Sequence, residues 1–292
     1  MSSTTDSTTD STTDSSRSAT TVTEGRVPVP GGELAYDVRG AGRPVVLIHG
    51  GWCDRRLWEH ETALLADDHL VVRYDARGCG ASTSPTGDWE FHEDLRSLLT
   101  HLGVRRPTLV GLSLGAATAL DYALTYPDDV QAALLVSPGF VHMTYTDPWA
   151  LRCAAEQEAA VRAWDAQAWT EAGVRGFVAG PHRAVADLAP DVLDLCRTMT
   201  LECLATHAAA TATSGGTFRG VGAQDRLGEL AVPTETVVGD LDVSDVLTVA
   251  RRVADAAPGG RVHVVEGAAH MLNLEKPQEF GAVLRDFLAR TA

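Results

Sequence analysis

Three residues in this sequence carry types and settings suited to acyl transfer. Ser113 stands in Gly111-Leu112-Ser113-Leu114-Gly115, between an apolar β-like run, Thr108 to Val110, and a helix-compatible run, Ala116 to Leu124. A strand, a tight turn and a helix in that order hold a hydroxyl out of the sheet edge, and a side chain at Gly111 or Gly115 would collide across the bend. The Leu114 amide then lies at a helix N-terminus, where unpaired N–H groups favour developing negative charge. A Ser hydroxyl needs a base to take its proton, and His is the side chain best suited. The His in turn needs a carboxylate to fix its tautomer and stabilise the imidazolium. His270 follows an expected strand at Arg261 to Val265, and Asp242 follows another at Pro233 to Val238. By itself the turn also fits a Ser that only caps a helix, so the case depends on the other two residues sharing its sheet edge.

The elements that must position these residues are legible as a rhythm. Val27 and Val29, Pro30-Gly31-Gly32, then Glu33 to Val38 read as a hairpin. Further strands are expected at Pro44 to Ile48, His69 to Tyr74, Thr108 to Val110, Ala132 to Val136, Pro233 to Val238 and Arg261 to Val265. The continuous apolar run Pro44 to Ile48 suits a strand covered on both faces. Helices are expected over Asp54 to Ala66, with Leu57, Trp58 and Leu65 inward, over Glu90 to Leu102, ended by Gly103, and from Pro277 to the C-terminus. Alternating strands and helices define an α/β fold with a mainly parallel sheet, whose ligand chemistry sits at the strands' C-terminal ends. Residues 140–230 break the rhythm. They read as helical and carry Met143, Trp149, Trp164, Trp169, Phe177 and Met199. This insertion after the sixth strand is expected to be a lid with an apolar underside, most of its aromatics forming its own small core. The resulting division is a disordered low-complexity tail at 1–23, a core of 24–139 and 231–292, and a lid at 140–230. The tail holds STTD three times in succession and too little apolar surface to offset its ordering entropy.

Composition narrows the function classes. The 292 residues carry a net charge of −15, which argues against nucleic acid or anionic lipid as a partner. Hydrophobic residues at 45% are ordinary for a globular chain. Five cysteines with no CxxC pair suit reduced thiols in a cytoplasm. No apolar run approaches the ~18 residues of a membrane span. The absence of HxxxH or clustered Cys/His argues against metal catalysis. His142, His182 and His207, in the insertion, are read as surface residues. His49 is expected to be structural, and Asp75 and Arg77 to fix their loop.

The pieces HGGW (49–52), YDARGCGAS (74–82), GLSLG (111–115), GDLD (239–242) and GAAHMLNLEKPQEF (267–280) occur in an order that resembles the α/β-hydrolase fold superfamily over residues 24–292. The last piece and the HGGW loop look most like its enol-lactonase and small-esterase branch. The resemblance implies an eight-stranded sheet, Ser113 as nucleophile, His270 as base, Asp242 as acid, and amides of Gly51 and Leu114 as the oxyanion hole. It leaves open whether Trp52, also a candidate substrate contact, gives the amide instead of Gly51. Asp242 is preferred over Asp240 and Asp245 because the family places its acid three residues after the Gly that ends this strand. The expected reaction is cofactor-free cleavage of a small to medium carboxylic ester or lactone through an acyl-enzyme. The same triad also suits a cofactor-free haloperoxidase or perhydrolase and a C–C bond hydrolase, and the fold suits a ligand receptor with little turnover.

Overall fold

The computed structural model describes residues 22–292, and residues 1–21 of the expected tail lie outside them. Eight strands form one sheet in the order β1-β2-β4-β3-β5-β6-β7-β8. They are β1 Val22–Val29, β2 Gly32–Arg39, β3 Arg43–Ile48, β4 His69–Tyr74, β5 Thr108–Leu112, β6 Ala132–Val136, β7 Thr234–Gly239 and β8 Val262–Val265. The expected hairpin is β1 with β2. Val22 and Thr23, expected to belong to the tail, pair with Arg39 and Val38 in β1, which corrects the expected boundary at Glu24. Strands β3 to β8 are parallel to one another, and β2 pairs antiparallel to β4.

Alternation along each central strand feeds both faces. In β3, Val46 and Ile48 join the core built with Leu95 and Leu98 of α2 (Phe91–Leu102), Leu120 of α3 (Leu114–Thr125) and Val253 of a later helix. Val45 and Leu47 join the opposite core, with Leu65 of α1 (Glu59–Leu65) and Phe280 and Leu284 near the C-terminus. Helix α1 does not begin at Asp54 as the apolar spacing suggests. The Asp54 carboxylate accepts from the Arg56 amide, which tightens Arg55–Trp58 into a 3-10 turn before the helix proper. Leu57, Trp58 and Leu65 are nonetheless inward.

Between β6 and β7 the chain is helical: α4 (Pro148–Ala163), α5 (Ala166–Gly173), a π-helical turn (Val174–Ala179), α6 (Pro190–Thr213) and the short α7 (Ala223–Arg226). Its large side chains do not form one private core. Met199 packs into the sheet's own core, Trp149 leans on the cluster around Val243 and Val246, and Trp164 is 90% exposed. His207 corrects its surface reading. It is buried, and its ring bridges Ser84 Oγ at 2.8 Å and the Gly80 carbonyl at 3.0 Å, so α6 is tied to the loop after β4. His142 and His182 are exposed. The remaining helices are α8 (Ser244–Ala256), α9 (Leu272–Glu275) and α10 (Pro277–Arg290). All five cysteines are free and buried.

One buried carboxyl predicts a pH effect on stability. Glu61 of α1 is fully buried, and neither of its oxygens has a hydrogen-bond partner. Burial pushes its pKa from 4.5 up to about 8. Between those values the folded state holds a proton that the unfolded chain has lost, so stability falls as pH rises through that window. Glu61→Gln removes this penalty. The variant is expected to match the parent at pH 4.5 and to gain on the order of 4 kcal/mol at pH 8, read from denaturant melts. A parallel pH profile in the two proteins would refute the assignment.

Candidate active site

The turn at Ser113 has the geometry that its flanking glycines permit. Ser113 sits at φ 55°, ψ −112°, a conformation rare for a residue with a side chain and costing about 1–3 kcal/mol. The strain is imposed by packing: the Ser113 amide donates to the Val136 carbonyl at 2.9 Å. A Cβ at Gly115 would stand 2.1 Å from the Ile48 carbonyl oxygen, and one at Gly111 would stand 2.2 Å from that of Gly115. The helix after the turn is buried from Gly115 to Leu124, which anchors the bend in the middle of the core.

His270 lies in the loop between β8 and α9. Its Nδ1 and Asp242 Oδ2 are 2.8 Å apart, with both residues buried. The second Asp242 oxygen accepts from the Val243 amide at 2.8 Å, which fixes the carboxylate plane. The two competing acids are engaged elsewhere. Asp240 accepts from the Gly267 amide, and Asp245 accepts from the amides of Thr146 and Asp147. The His270 main chain is held at both ends, its amide facing the Phe177 carbonyl at 3.4 Å and its carbonyl accepting from Ser137 Oγ at 3.0 Å. With Nδ1 on the carboxylate, Nε2 is left for the cavity that His270 shares with Ser113.

That cavity has a volume of about 410 Å³, within the range of small-ligand sites. Gly51, Trp52 and Leu114 also line it. The amides of these three residues donate to no oxygen among the described residues, so all are free for an incoming oxyanion. The walls are aromatic, with Trp52, Phe140, Tyr145, Trp169, Phe177 and Phe218. Among the described lining residues there is no Asp, Glu, Lys or Arg. Burial and the nearby Asp242 charge push the Tyr145 phenol up to about 12, so it lines the site as a neutral group. Trp52 is 44% exposed at φ 61°, with its ring edge against Trp169 at 4.6 Å.

His49 is structural. Its Nδ1 lies 2.7 Å from the Gly50 carbonyl and its Nε2 accepts from the Ala76 amide at 2.8 Å, which leaves no ring nitrogen for chemistry. Asp75 holds its loop through the amides of Arg55 and Ala81, and Arg77 pairs with Asp94. The one group of potential metal ligands among the described residues, Glu90, His92 and Glu93, does not line the cavity. Two residues that support the site carry no motif. In the sequence Ser137 is only a polar residue that follows the apolar run Ala132 to Val136. Phe177 sits in an irregular helical turn with no sequence signature.

The model of the alpha/beta hydrolase family matches residues 45–283, and the chain belongs to that family. It is an α/β-fold hydrolase. A solved structure described as Est816, an N-acyl homoserine lactone degrading enzyme, is similar at 27% identity and a TM-score of 0.73, over 90% of this chain and all of that one. A proline iminopeptidase of Lactobacillus helveticus is 26% identical over 91% of this chain and 98% of its own length. The 3-oxoadipate enol-lactonase 2 of Acinetobacter baylyi is 22% identical over 86% and 90%. Among the described residues no helix is long and apolar enough to cross a membrane.

Proposed function

We propose that the protein cleaves a small to medium, uncharged carboxylic ester or lactone through an acyl-enzyme on Ser113. The observation that carries this reading is the buried His270–Asp242 pair at 2.8 Å, opening onto the same cavity as a Ser in a strained strand-to-helix turn. Ser113 attacks the carbonyl while His270 Nε2 takes its proton. The oxyanion accepts from the amides of Leu114 and of Gly51 or Trp52. His270 then returns the proton to the leaving alkoxide and activates water for deacylation, with Asp242 stabilising the imidazolium at each stage. These steps need no metal or organic cofactor. The insertion at 140–230 acts as the lid, its side chains Trp169 and Phe177 supplying apolar walls, and Trp52 as the substrate contact at its edge.

A lining without Asp, Glu, Lys or Arg sets the preference. A carboxylate entering this cavity would lose hydration with no Arg or Lys to replace it. Dimethyl adipate is therefore expected to be hydrolysed at least about 100-fold faster, in kcat/KM, than monomethyl adipate, a gap of roughly 3 kcal/mol. A panel of p-nitrophenyl esters, neutral lactones and carboxylate-bearing analogues checks this. Equal rates for the charged and neutral members would remove the specificity claim. No turnover of any ester or lactone, alongside peroxide-dependent bromination, would remove the reaction itself.

A further inference from the structure

The insertion reaches the His270 loop through one cation. Arg183 follows the π-helical turn and is almost buried, with 13% of its side chain exposed. Its Nε donates to the Ala179 carbonyl at 2.8 Å and one terminal nitrogen to that of Val178 at 2.9 Å. These are carbonyls at the turn's C-terminal end, where helical backbone lacks internal partners. The same guanidinium crosses to the loop before α9. It donates to the Gly267 carbonyl at 3.3 Å and pairs with Glu275 Oε2 at 2.5 Å. The other Glu275 oxygen accepts from the Ala269 amide at 3.0 Å, one residue before His270. The turn itself lies on the imidazole. The Phe177 ring is 5.1 Å from that of His270, and its carbonyl faces the His270 amide. The turn then leaves through Gly180, at φ +75°, where a Cβ would stand 2.4 Å from the carbonyl oxygen of Leu241, next to Asp242.

We propose that Arg183, through Glu275, is a positioning residue for His270: it locks the π-helical turn of the insertion to the loop that carries the imidazole. This rests on the reading of His270 as the base. Irregular helical turns of this kind recur at functional sites, where they re-aim a few backbone groups. Here the turn offers its last carbonyls outward, one toward His270 and two to Arg183. The insertion thereby contacts His270 directly and packs against Leu241, the residue before Asp242, so the cover over the cavity is joined to the loops that carry both. Without the Arg183 fork the loop between Gly267 and Glu275 loses two of its anchors at once.

The test uses Arg183→Met and Arg183→Lys in the full chain, with far-UV circular dichroism to verify the fold. Two readouts are taken: kcat and KM on p-nitrophenyl butyrate, and the low-field proton resonance of the His270 Nδ1–H on Asp242. For Arg183→Met, kcat is expected to fall roughly ten- to a hundredfold with KM within about twofold, as for a small displacement of a catalytic group. The low-field resonance should broaden or disappear. Arg183→Lys keeps the pairing with Glu275 and loses the fork, so it should fall between Met and wild type. If the Met variant does not fold, the Lys variant alone gives the reading. Wild-type kcat and an unchanged resonance in a folded variant would overturn the proposal, as would a change confined to KM. A resonance present in the wild type and lost on Arg183→Met, with no ester turnover by either, would uphold the clamp and reject the hydrolytic assignment instead.

Discussion

Ser113→Ala is expected to lower kcat for p-nitrophenyl butyrate by roughly 10⁶, with residual catalysis from binding and the oxyanion amides alone. The fold should survive. The bend at residue 113 is imposed by the close approach of Gly115 to Ile48 and by the hydrogen bond its amide donates to the Val136 carbonyl, neither of which involves the hydroxyl. The melting temperature is therefore expected to stay within a few degrees of the parent, since surface-cavity hydroxyls contribute little to stability. The measurement is steady-state turnover alongside a thermal melt. A variant that keeps its fold and retains activity within tenfold would mean that another side chain attacks the ester.

Asp242→Asn is expected to cost about 10⁴ in kcat with little change in KM. The reason is a specific hydrogen-bond exchange. One oxygen of Asp242 accepts from the Val243 amide at 2.8 Å, and the other accepts from His270 Nδ1–H. In the variant the single amide oxygen stays on the Val243 N–H, which leaves an NH₂ facing the ring. His270 Nδ1 must then accept, so the proton moves to Nε2. That tautomer cannot take the Ser113 proton, and no negative charge remains to stabilise the imidazolium. Asp240→Asn and Asp245→Asn, by contrast, change acceptors for loop amides and are expected to leave kcat within about threefold, as for substitutions away from reacting groups. A large loss on Asp240→Asn or Asp245→Asn with little loss on Asp242→Asn would reverse the choice of acid.

The sheet was legible because its physics is local. Continuous apolar runs such as Pro44 to Ile48 and Ala132 to Val136 had to be strands covered on both faces, and each lies within two residues of where the pattern put it. The turn at Ser113 was legible because only glycine fits at 111 and 115. His270 and Asp242 were each legible as polar residues after a strand, but the choice of Asp242 over Asp240 and Asp245 came from the family resemblance. Other features depend on contacts between segments far apart in sequence, and such contacts leave no periodic trace. His207 reads as a helix-face histidine until the loop at 80–84 is packed on it. The 3-10 turn at Arg55–Trp58 follows from a single capping carboxylate that competes with an otherwise good helical pattern. Ser137, at φ 43°, and Phe177 support His270 from 133 and 93 residues away. The insertion's aromatics show the same limit: composition marks them as apolar, and only the packing separates Met199, deep in the sheet core, from Trp164 in solvent.

On the proposed mechanism, the hydroxyl of residue 113, activated by His270, becomes covalently acylated. Intact-protein mass spectrometry after treatment with an alkyl fluorophosphonate, followed by peptide mapping, reads this directly. One adduct per chain on the peptide carrying Ser113, absent from Ser113→Ala and strongly slowed in His270→Ala, is the expected result. An adduct on another residue, or undiminished ester turnover by protein fully labelled on Ser113, would contradict it.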